Sequence, residues 1–265
     1  MITLLRSIAV AFTTYSRIPM PVFEWKDEDM KYSMCAFPLT GVVLSALSFC
    51  VYHLLISLRA GNLLLSVVMT VLPLLYTGGI HMDGFMDTTD ALCSYGDRAK
   101  KLDILKDPHI GAFAVIHALI YVLFSLALWN ELIRLNVEGY AENMLFYLVM
   151  TGYIMSRILS ALAVVSFKKA KDEGMVSDIS KAQDRKCRGI LIGITTVFTA
   201  LLVACTGMYS LCVIAPSVFT FLYYRRTSYR SFGGITGDLA GWFLQICELS
   251  ILFTAVAVAL VIGRG

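Results

Sequence analysis

The chain is divided into long apolar blocks, and this feature limits its fold more than any other. Each block has about 20 residues, the length that crosses a bilayer core as a helix. Backbone polar groups inside lipid must be satisfied within the segment, so such blocks form helices. We predict an all-α polytopic membrane protein with about seven transmembrane helices, at 33–58, 63–81, 111–131, 144–166, 189–207, 209–224 and 240–262.

Composition supports the same class. Hydrophobic residues make up 58% of the chain, charged residues only 15%, and the mean hydropathy is +0.73. Soluble domains contain about 45–50% apolar and about 25% charged residues. No internal repeat or flexible linker divides the sequence, which predicts one integral-membrane helical domain over 1–265. Residues 1–32 are expected to form a cytoplasmic or interfacial segment, and whether residues 1–20 insert is left open.

The basic residues lie almost entirely on one side of the predicted spans. Lys and Arg number 18 in the segments on that side and three on the other side. Cytoplasmic loops of membrane proteins carry such an excess of positive charge. We therefore expect a cytoplasmic N-terminus and an outside C-terminus, with the cytoplasmic side formed by 1–32, 82–110, 167–188 and 225–239.

An acidic motif, "GGIHMDGFMDTTDA" at 78–91, follows the second apolar block. On a helix, Asp83, Asp87 and Asp90 lie within about 60° of one another and form a single stripe. Carboxylates at this spacing repel one another unless a cation lies among them. Hard oxygen ligands with access to water suit Mg²⁺ or Mn²⁺. The pattern favours a metal site, and a solvated acidic helix end is the alternative.

Basic residues follow this motif in "GDRAKKLDILKDPHIGAF", which contains Arg98, Lys100, Lys101 and Lys106. Carboxylates that bind a metal beside a cationic segment suggest a diphosphate substrate, whose charge the metal and the cations share. The positive charge of cytoplasmic loops alone also explains most of these lysines.

Other polar residues are candidate phosphate contacts. Arg157 lies inside the fourth span, where an arginine is a functional candidate, although its side chain could also extend to the interface. Thr236 and Asp238, in "RSFGGITGD", stand at the start of the last helix, where backbone N–H groups could meet a phosphate or Asp238 could cap the helix. Arg17 in "TTYSRIPMP" could bind lipid phosphates or a substrate phosphate.

Several of these motifs together resemble the adenosylcobinamide-GDP ribazoletransferase family, also called cobalamin synthases. The resemblance covers nearly the whole chain and is carried by "TYSRIPMP", "FPLTG", "TGGIHMDGFMDTTDA", "KKLDILKDPHIGAFAV" and "FGGITGD". Ala91 stands where many relatives have glycine, and "PH" at 108–109 is less usual. Neither difference affects the acidic positions.

The resemblance implies an activity. In the family, α-ribazole or its 5′-phosphate attacks adenosylcobinamide-GDP, GMP leaves, and adenosylcobalamin or its 5′-phosphate forms. It implies Mg²⁺ as the metal and Asp83, Asp87, Asp90 and Asp107 as the acidic site positions. The expected location is the cytoplasmic (inner) membrane of a bacterium or archaeon, with the active site facing the cytoplasm. A lipid bilayer and the two substrates are the expected partners; no nucleic acid is expected, and a homo-oligomer is left open.

Two rival functions remain at this stage. The first is another membrane phosphotransferase of the CDP-alcohol phosphotransferase type, whose aspartate spacing is similar. The second is a cation-coupled transporter. Transporters place ion sites near the midplane, on broken helices within internal repeats. The aspartates here lie at a helix end and no repeat is visible, which disfavours the transporter.

Overall fold

The fold consists of helices. The computed structural model describes residues 2–21, 23–137, 143–170 and 186–262. Among these residues the only β pairing is an isolated bridge between Lys169 and Ile235. The prediction of an all-α polytopic membrane protein is confirmed.

Within these ranges the chain forms, in order, α1 (Ile2–Tyr15), α2 (Asp27–Met30), α3 (Ser33–Ser57), α4 (Asn62–Thr77), α5 (Ile80–Cys93), α6 (Arg98–Ile104), α7 (Ala112–Val137), α8 (Asn143–Ser166), α9 (Cys187–Thr206), α10 (Leu211–Thr227) and α11 (Gly237–Ile262). A short 3₁₀ turn, Gly207–Ser210, joins α9 to α10, and a π turn, Ser228–Phe232, follows α10. The predicted spans fall on α3, α4, α7, α8, α9, α10 and α11.

The number of membrane crossings depends on how two interrupted segments are counted. By length and composition, five segments of the described chain are long and apolar enough to span, or six if α4 and α5 together form one bent span. The longest of the five, Cys187–Phe232, contains the 3₁₀ turn, where Gly207 has a φ of +53°. The predicted division near 206–210 falls at this turn. The count of seven stays a prediction.

The described parts of the four basic segments meet at one end of the bundle. The thiol of Cys187 donates to the Lys31 carbonyl at 3.2 Å, which joins the starts of α9 and α3. The Ile235 N–H donates to the Lys168 carbonyl at 2.8 Å, which joins the end of α8 to the start of α11. Residues 171–185 lie outside the described residues. Which side of the membrane this end faces stays a prediction.

Helix α8 is the innermost helix of the bundle. It packs against α3, α9, α10 and α11. In the apolar 18-residue stretch of α8, 78% is buried inside the protein, against 28% for that of α3 and 11% for that of the segment Cys187–Phe232. The outer helices therefore present apolar side chains to lipid, as a polytopic bundle requires. A charged residue on α8, such as Arg157, must find its partners within the protein.

The predicted span at 63–81 does not continue as one helix. Helix α4 ends at Thr77, and α5 leaves it at an angle of 93°. The aspartate stripe therefore belongs to a separate short helix. This helix packs between α7 and the first turns of α11.

Candidate active site

Two glycines make the bend that starts the acidic helix. Gly78 and Gly79 have φ values of +64° and +82°, a region that other residues enter only at a cost. Their N–H groups donate to the carbonyls of Leu75 and Leu74 at 3.2 and 2.9 Å, which closes the end of α4. The Asp83 N–H then donates to Gly79 at 2.8 Å and begins α5. This bend sets the direction in which the aspartates project.

The predicted stripe is present on α5. Asp83 is exposed, whereas Asp87 and Asp90 are partly buried. The other face of α5 is covered, with Phe85, Thr88 and other residues in the interior. Helical periodicity therefore separates a buried face from a line of carboxylates, as the spacing predicts.

A fourth carboxylate joins the stripe from the last helix. A methyl group at position 84 would lie 2.7 Å from the Asp238 carbonyl oxygen, so the backbones of α5 and α11 touch at Gly84. The charges of Asp83, Asp90 and Asp238 all act on Asp87. Asp87 thus lies within the field of three other carboxylates. The sequence made Asp238 a candidate, but it did not predict this contact.

Thr236 caps the last helix. Its hydroxyl accepts the Leu239 N–H at 3.2 Å and donates to Asp238 Oδ2 at 3.3 Å. The bond from the Leu239 N–H is that of a helix N-cap, so the cap is Thr236, whereas the sequence offered Asp238 for that role. The bond from Thr236 also holds Asp238 in the first turn of α11. A phosphate contact by either residue stays a prediction.

A glycine, Gly111, leaves room for the carboxylate of Asp90. A side chain at Gly111, just before α7, would overlap the Asp90 carboxylate, so that carboxylate lies directly against the chain at this point. The motif "HIGAF" therefore borders the acidic stripe. The backbone at Gly111 approaches this carboxylate closely because glycine has no side chain.

Asp107 and Lys106 lie in the exposed loop after α6. Asp107 Oδ1 accepts a bond from the His109 N–H at 3.0 Å and contacts the His109 ring at 2.6 Å. The backbone bond from His109, followed by its side-chain bond, lowers the pKa of Asp107 below its usual value. Lys106 lies 3.9 Å from Asp103. Their predicted roles in catalysis and phosphate binding remain predictions.

Two arginines pack against left-handed glycines at this end of the bundle. The Arg17 side chain lies on Gly78, and the Arg17 backbone N–H donates to the Tyr76 carbonyl at 2.8 Å. Arg98 lies on Gly233, in the loop that leads to Thr236, and a side chain at position 233 would overlap its guanidinium. Both arginines are exposed. The sequence singled out Arg17 but treated Arg98 only as part of a basic run.

Lys169 adds a cation next to the same loop. Its ammonium donates to the Val164 and Phe167 carbonyls, at 2.8 Å for Phe167, and so closes the end of α8. Partial burial lowers the pKa of Lys169 to about 8. Its main chain is packed directly against Gly234. The glycine loop is thus held between the end of α8 and α6.

Arg157 is inside the bundle. Only 1% of its side chain is exposed, and Nη1 donates to Glu248 Oε1 at 2.7 Å. The guanidinium therefore does not extend to the interface, because it is paired with Glu248 inside the bundle. A phosphate contact by Arg157 is not tested by this arrangement and stays a prediction.

The acidic residues suit a metal held partly by substrate. In the part of the chain that the structure describes, no three His, Cys, Asp or Glu side chains are grouped so as to hold a metal ion by themselves. Mg²⁺ is usually held by one or two carboxylates, with waters and substrate phosphates completing its shell. Asp83 and Asp87, one turn apart on one face, fit this arrangement of two carboxylates completed by substrate phosphates. The metal itself stays a prediction.

These features define a class: an integral-membrane helical bundle with an acidic site at one end, between a bent helix and the last span. The family follows from comparison. A family model described as cobalamin-5-phosphate synthase matches residues 7–256, and the chain belongs to this family.

Curated relatives align with nearly the whole chain. A protein named adenosylcobinamide-GDP ribazoletransferase from Lachnoclostridium phytofermentans is 35% identical over 98% of this chain and 95% of its own length. Proteins of the same name from Clostridium botulinum and Desulfitobacterium hafniense are 29% and 30% identical, each over 95% of this chain and 97% and 96% of their own lengths. No solved structure matches the chain.

Proposed function

We propose that the chain catalyses the reaction for which its relatives are named. A hydroxyl of α-ribazole, or of its 5′-phosphate, attacks the phosphorus atom attached to cobinamide in adenosylcobinamide-GDP. The bond from that phosphorus to GMP breaks, GMP leaves, and the hydroxyl loses its proton. The product is adenosylcobalamin or its 5′-phosphate. Family membership over residues 7–256 is the observation that carries this proposal.

The acidic site supports the chemistry. A diphosphate is a strongly anionic group, and Asp87 with the three carboxylates around it would repel it without a cation. We propose that Asp83, Asp87 and Asp90 hold Mg²⁺, which when bound neutralises charge on the diphosphate. Asp238, held by Thr236, completes the acidic wall from α11.

The surrounding cations fit the phosphate groups. Arg17 at the bend and Lys106 in the loop after α6 are proposed phosphate contacts, along with Thr236. Asp107 is proposed as a further acidic residue of the site. The bonds from His109 lower its pKa below the usual value. The proposed orientation turns this end of the bundle to the cytoplasm, where nucleotide substrates are found.

The direct test is an assay on purified protein. GMP release is measured with adenosylcobinamide-GDP and α-ribazole, with Mg²⁺ present or removed by a chelator. We expect GMP only when both substrates and Mg²⁺ are present. Turnover of CDP-alcohols without any use of the corrinoid would contradict the proposal and favour the other phosphotransferase class. Full activity in the chelator would remove the metal from it.

A further inference from the structure

A charged pair connects two spans beneath the acidic site. Arg157 on α8 and Glu248 on α11 are 1% and 9% exposed, and their nearest atoms are 2.7 Å apart. Arg157 Nη1 also donates to the Tyr153 carbonyl at 2.9 Å, and Glu248 accepts from Ser156 at 2.8 Å. The pair is thus fixed by several directional bonds, not by charge alone.

The helices around the pair are closely packed. A methyl group at Gly41 of α3 would lie 2.5 Å from the Tyr153 carbonyl and 2.9 Å from Arg157 Cδ. A methyl group at Gly152 of α8 would lie 2.9 Å from Ile251 of α11. Arg157 is therefore held from behind by α3, and α11 packs closely on α8 at Gly152.

A small cavity lies beside Glu248 and is lined by both polar and apolar side chains. Its volume of about 20 Å³ is sufficient for one water molecule. The Thr70 hydroxyl lines it and has no hydrogen-bond partner among the described residues. The other polar side chains of the lining are Tyr121, Ser125, Tyr153, Gln245 and Glu248. At this depth α11 is therefore held by polar groups as well as by apolar packing.

Such a pair determines geometry more than it adds stability. Removing two charges from water costs several kcal/mol for each ion, and apolar side chains of similar volume are often as stable. What apolar side chains lack is a directional bond that specifies one depth and one rotation. The start of α11 needs such precision, because a methyl group at Gly241 would lie 3.0 Å from the His81 carbonyl and because Asp238 touches Gly84.

We propose that Arg157 and Glu248 are positioning residues for the acidic site. By fixing the depth and rotation of α11 against α8, they set where Asp238 lies relative to the aspartate stripe of α5. The inference rests on the proposed function for its activity readout. It assigns Arg157 an action through Glu248 instead of a direct contact with phosphate.

The test compares Arg157→Met, Glu248→Met and the double variant, in thermal unfolding and in steady-state GMP release. Each single change leaves one charge buried and unpaired, so both single variants should unfold at lower temperature. The double variant should regain most of that loss. Its kcat should stay at least tenfold below wild type, while KM for adenosylcobinamide-GDP changes less than threefold. A matched control is Arg134→Met with Glu131→Met, a half-buried pair on α7 at 2.6 Å, which should leave kcat unchanged.

A native thiol reports the position of α11 without any activity. Cys247, next to Glu248, is fully buried, and its Sγ lies 3.7 Å from Ser217 Oγ. In the double variant we expect faster alkylation of Cys247 by N-ethylmaleimide, read by mass spectrometry, while buried Cys212 on α10 keeps its wild-type rate. If wild-type protein releases no GMP, the proposed function fails, yet the Cys247 rates still test the displacement.

Three results would overturn the proposal. Wild-type kcat in the double variant would make the pair dispensable for the site. A lower kcat with an unchanged Cys247 rate would mean that α11 has not moved. A large rise in KM in both Arg157 variants would indicate a direct substrate contact. If the double variant does not fold, Glu248→Gln decides: Gln keeps the acceptor oxygen, so kcat should stay within tenfold of wild type, and complete loss would assign the charge itself to the chemistry.

Discussion

At the scale of single residues, Asp87 is the centre of the site. It lies on the same face as Asp83 and Asp90 and within the field of Asp238. Like charges this close destabilise the protein unless something compensates them. The stripe therefore stores repulsion that a bound cation would relieve. This sets up opposite expectations for stability and for turnover when a charge is removed.

We predict that Asp83→Asn, Asp87→Asn and Asp90→Asn each lower kcat by about 10²–10³-fold, because each removes one charge contact worth about 3–4 kcal/mol in the transition state. Thermal stability of the apo protein should be unchanged or slightly higher, since repulsion along the stripe falls. Both quantities are measured with and without Mg²⁺. Asp103→Asn, on the exposed surface of α6, is the control. Variants that unfold yet turn over normally per folded molecule would contradict the metal role.

Arg98 gives a second residue-scale prediction. Its side chain makes no hydrogen bond or ion pair with other described residues, although it lies against the loop before Thr236. A charged hydrogen bond is worth about 1.5–3 kcal/mol. Arg98→Ala should therefore raise KM for adenosylcobinamide-GDP about tenfold or more, with kcat little changed. Lys100→Ala, at an exposed cation of the same basic run, should have little effect on KM. Equal effects of the two changes would mean that Arg98 acts only through the general positive charge of this surface.

At the scale of helices, the sequence predicts the site better than its surroundings. The spacing of four and three residues predicts the stripe, because helical geometry is local. The pair Gly78-Gly79 signals flexibility, but its 93° bend depends on α7 and α11 and is not coded in the spacing. The contact of Gly84 with Asp238 and the pairing of Arg157 with Glu248 join distant parts of the chain. Neither has a local signal.

The contact between α5 and α11 can be tested at one atom. Gly84→Ala places a methyl group 2.7 Å from the Asp238 carbonyl oxygen, and a backbone atom cannot move aside cheaply. We expect a loss of about 1–3 kcal/mol in stability from overpacking. A displacement of about 1 Å costs about 10²-fold in rate, so kcat should fall by that order. The control is Gly193→Ala on α9, where the added methyl group meets nothing within 4 Å. Normal kcat in Gly84→Ala would separate this contact from the chemistry.

At the scale of the whole molecule, the apolar blocks predict where most helices lie. The predicted bounds agree with α3, α8 and α11 to within three residues, whereas α7 runs six residues past its predicted end. Block length cannot decide whether α9 and α10 are two crossings, because only a 3₁₀ turn of four residues separates them. Charge asymmetry addresses orientation, which no contact inside the protein determines.

The orientation is open to a direct measurement. Reporters fused after residue 100 or residue 230 should read cytoplasmic, and one fused after residue 60 should read outside. The reason is that 18 of the 22 Lys and Arg residues lie in the segments predicted to be cytoplasmic. Cysteine labelling from the outer face at the same positions is the independent check. Labelling of position 100 from outside alone would reverse the bundle and move the acidic site to the other side.

The touching backbones of α5 and α11 also have a consequence for biogenesis. Gly84 and Asp238 are 154 positions apart, which is roughly 8–30 s of synthesis at the ribosome. During that interval the nascent acidic helix lacks α11 on one face, while α4, α6 and α7, which also pack against it, are already made. A chain arrested before α11 would carry a half-built site in the bilayer. Membrane proteases that recognise unpaired polar helices would then find their substrate in the arrested chain and not in the finished bundle.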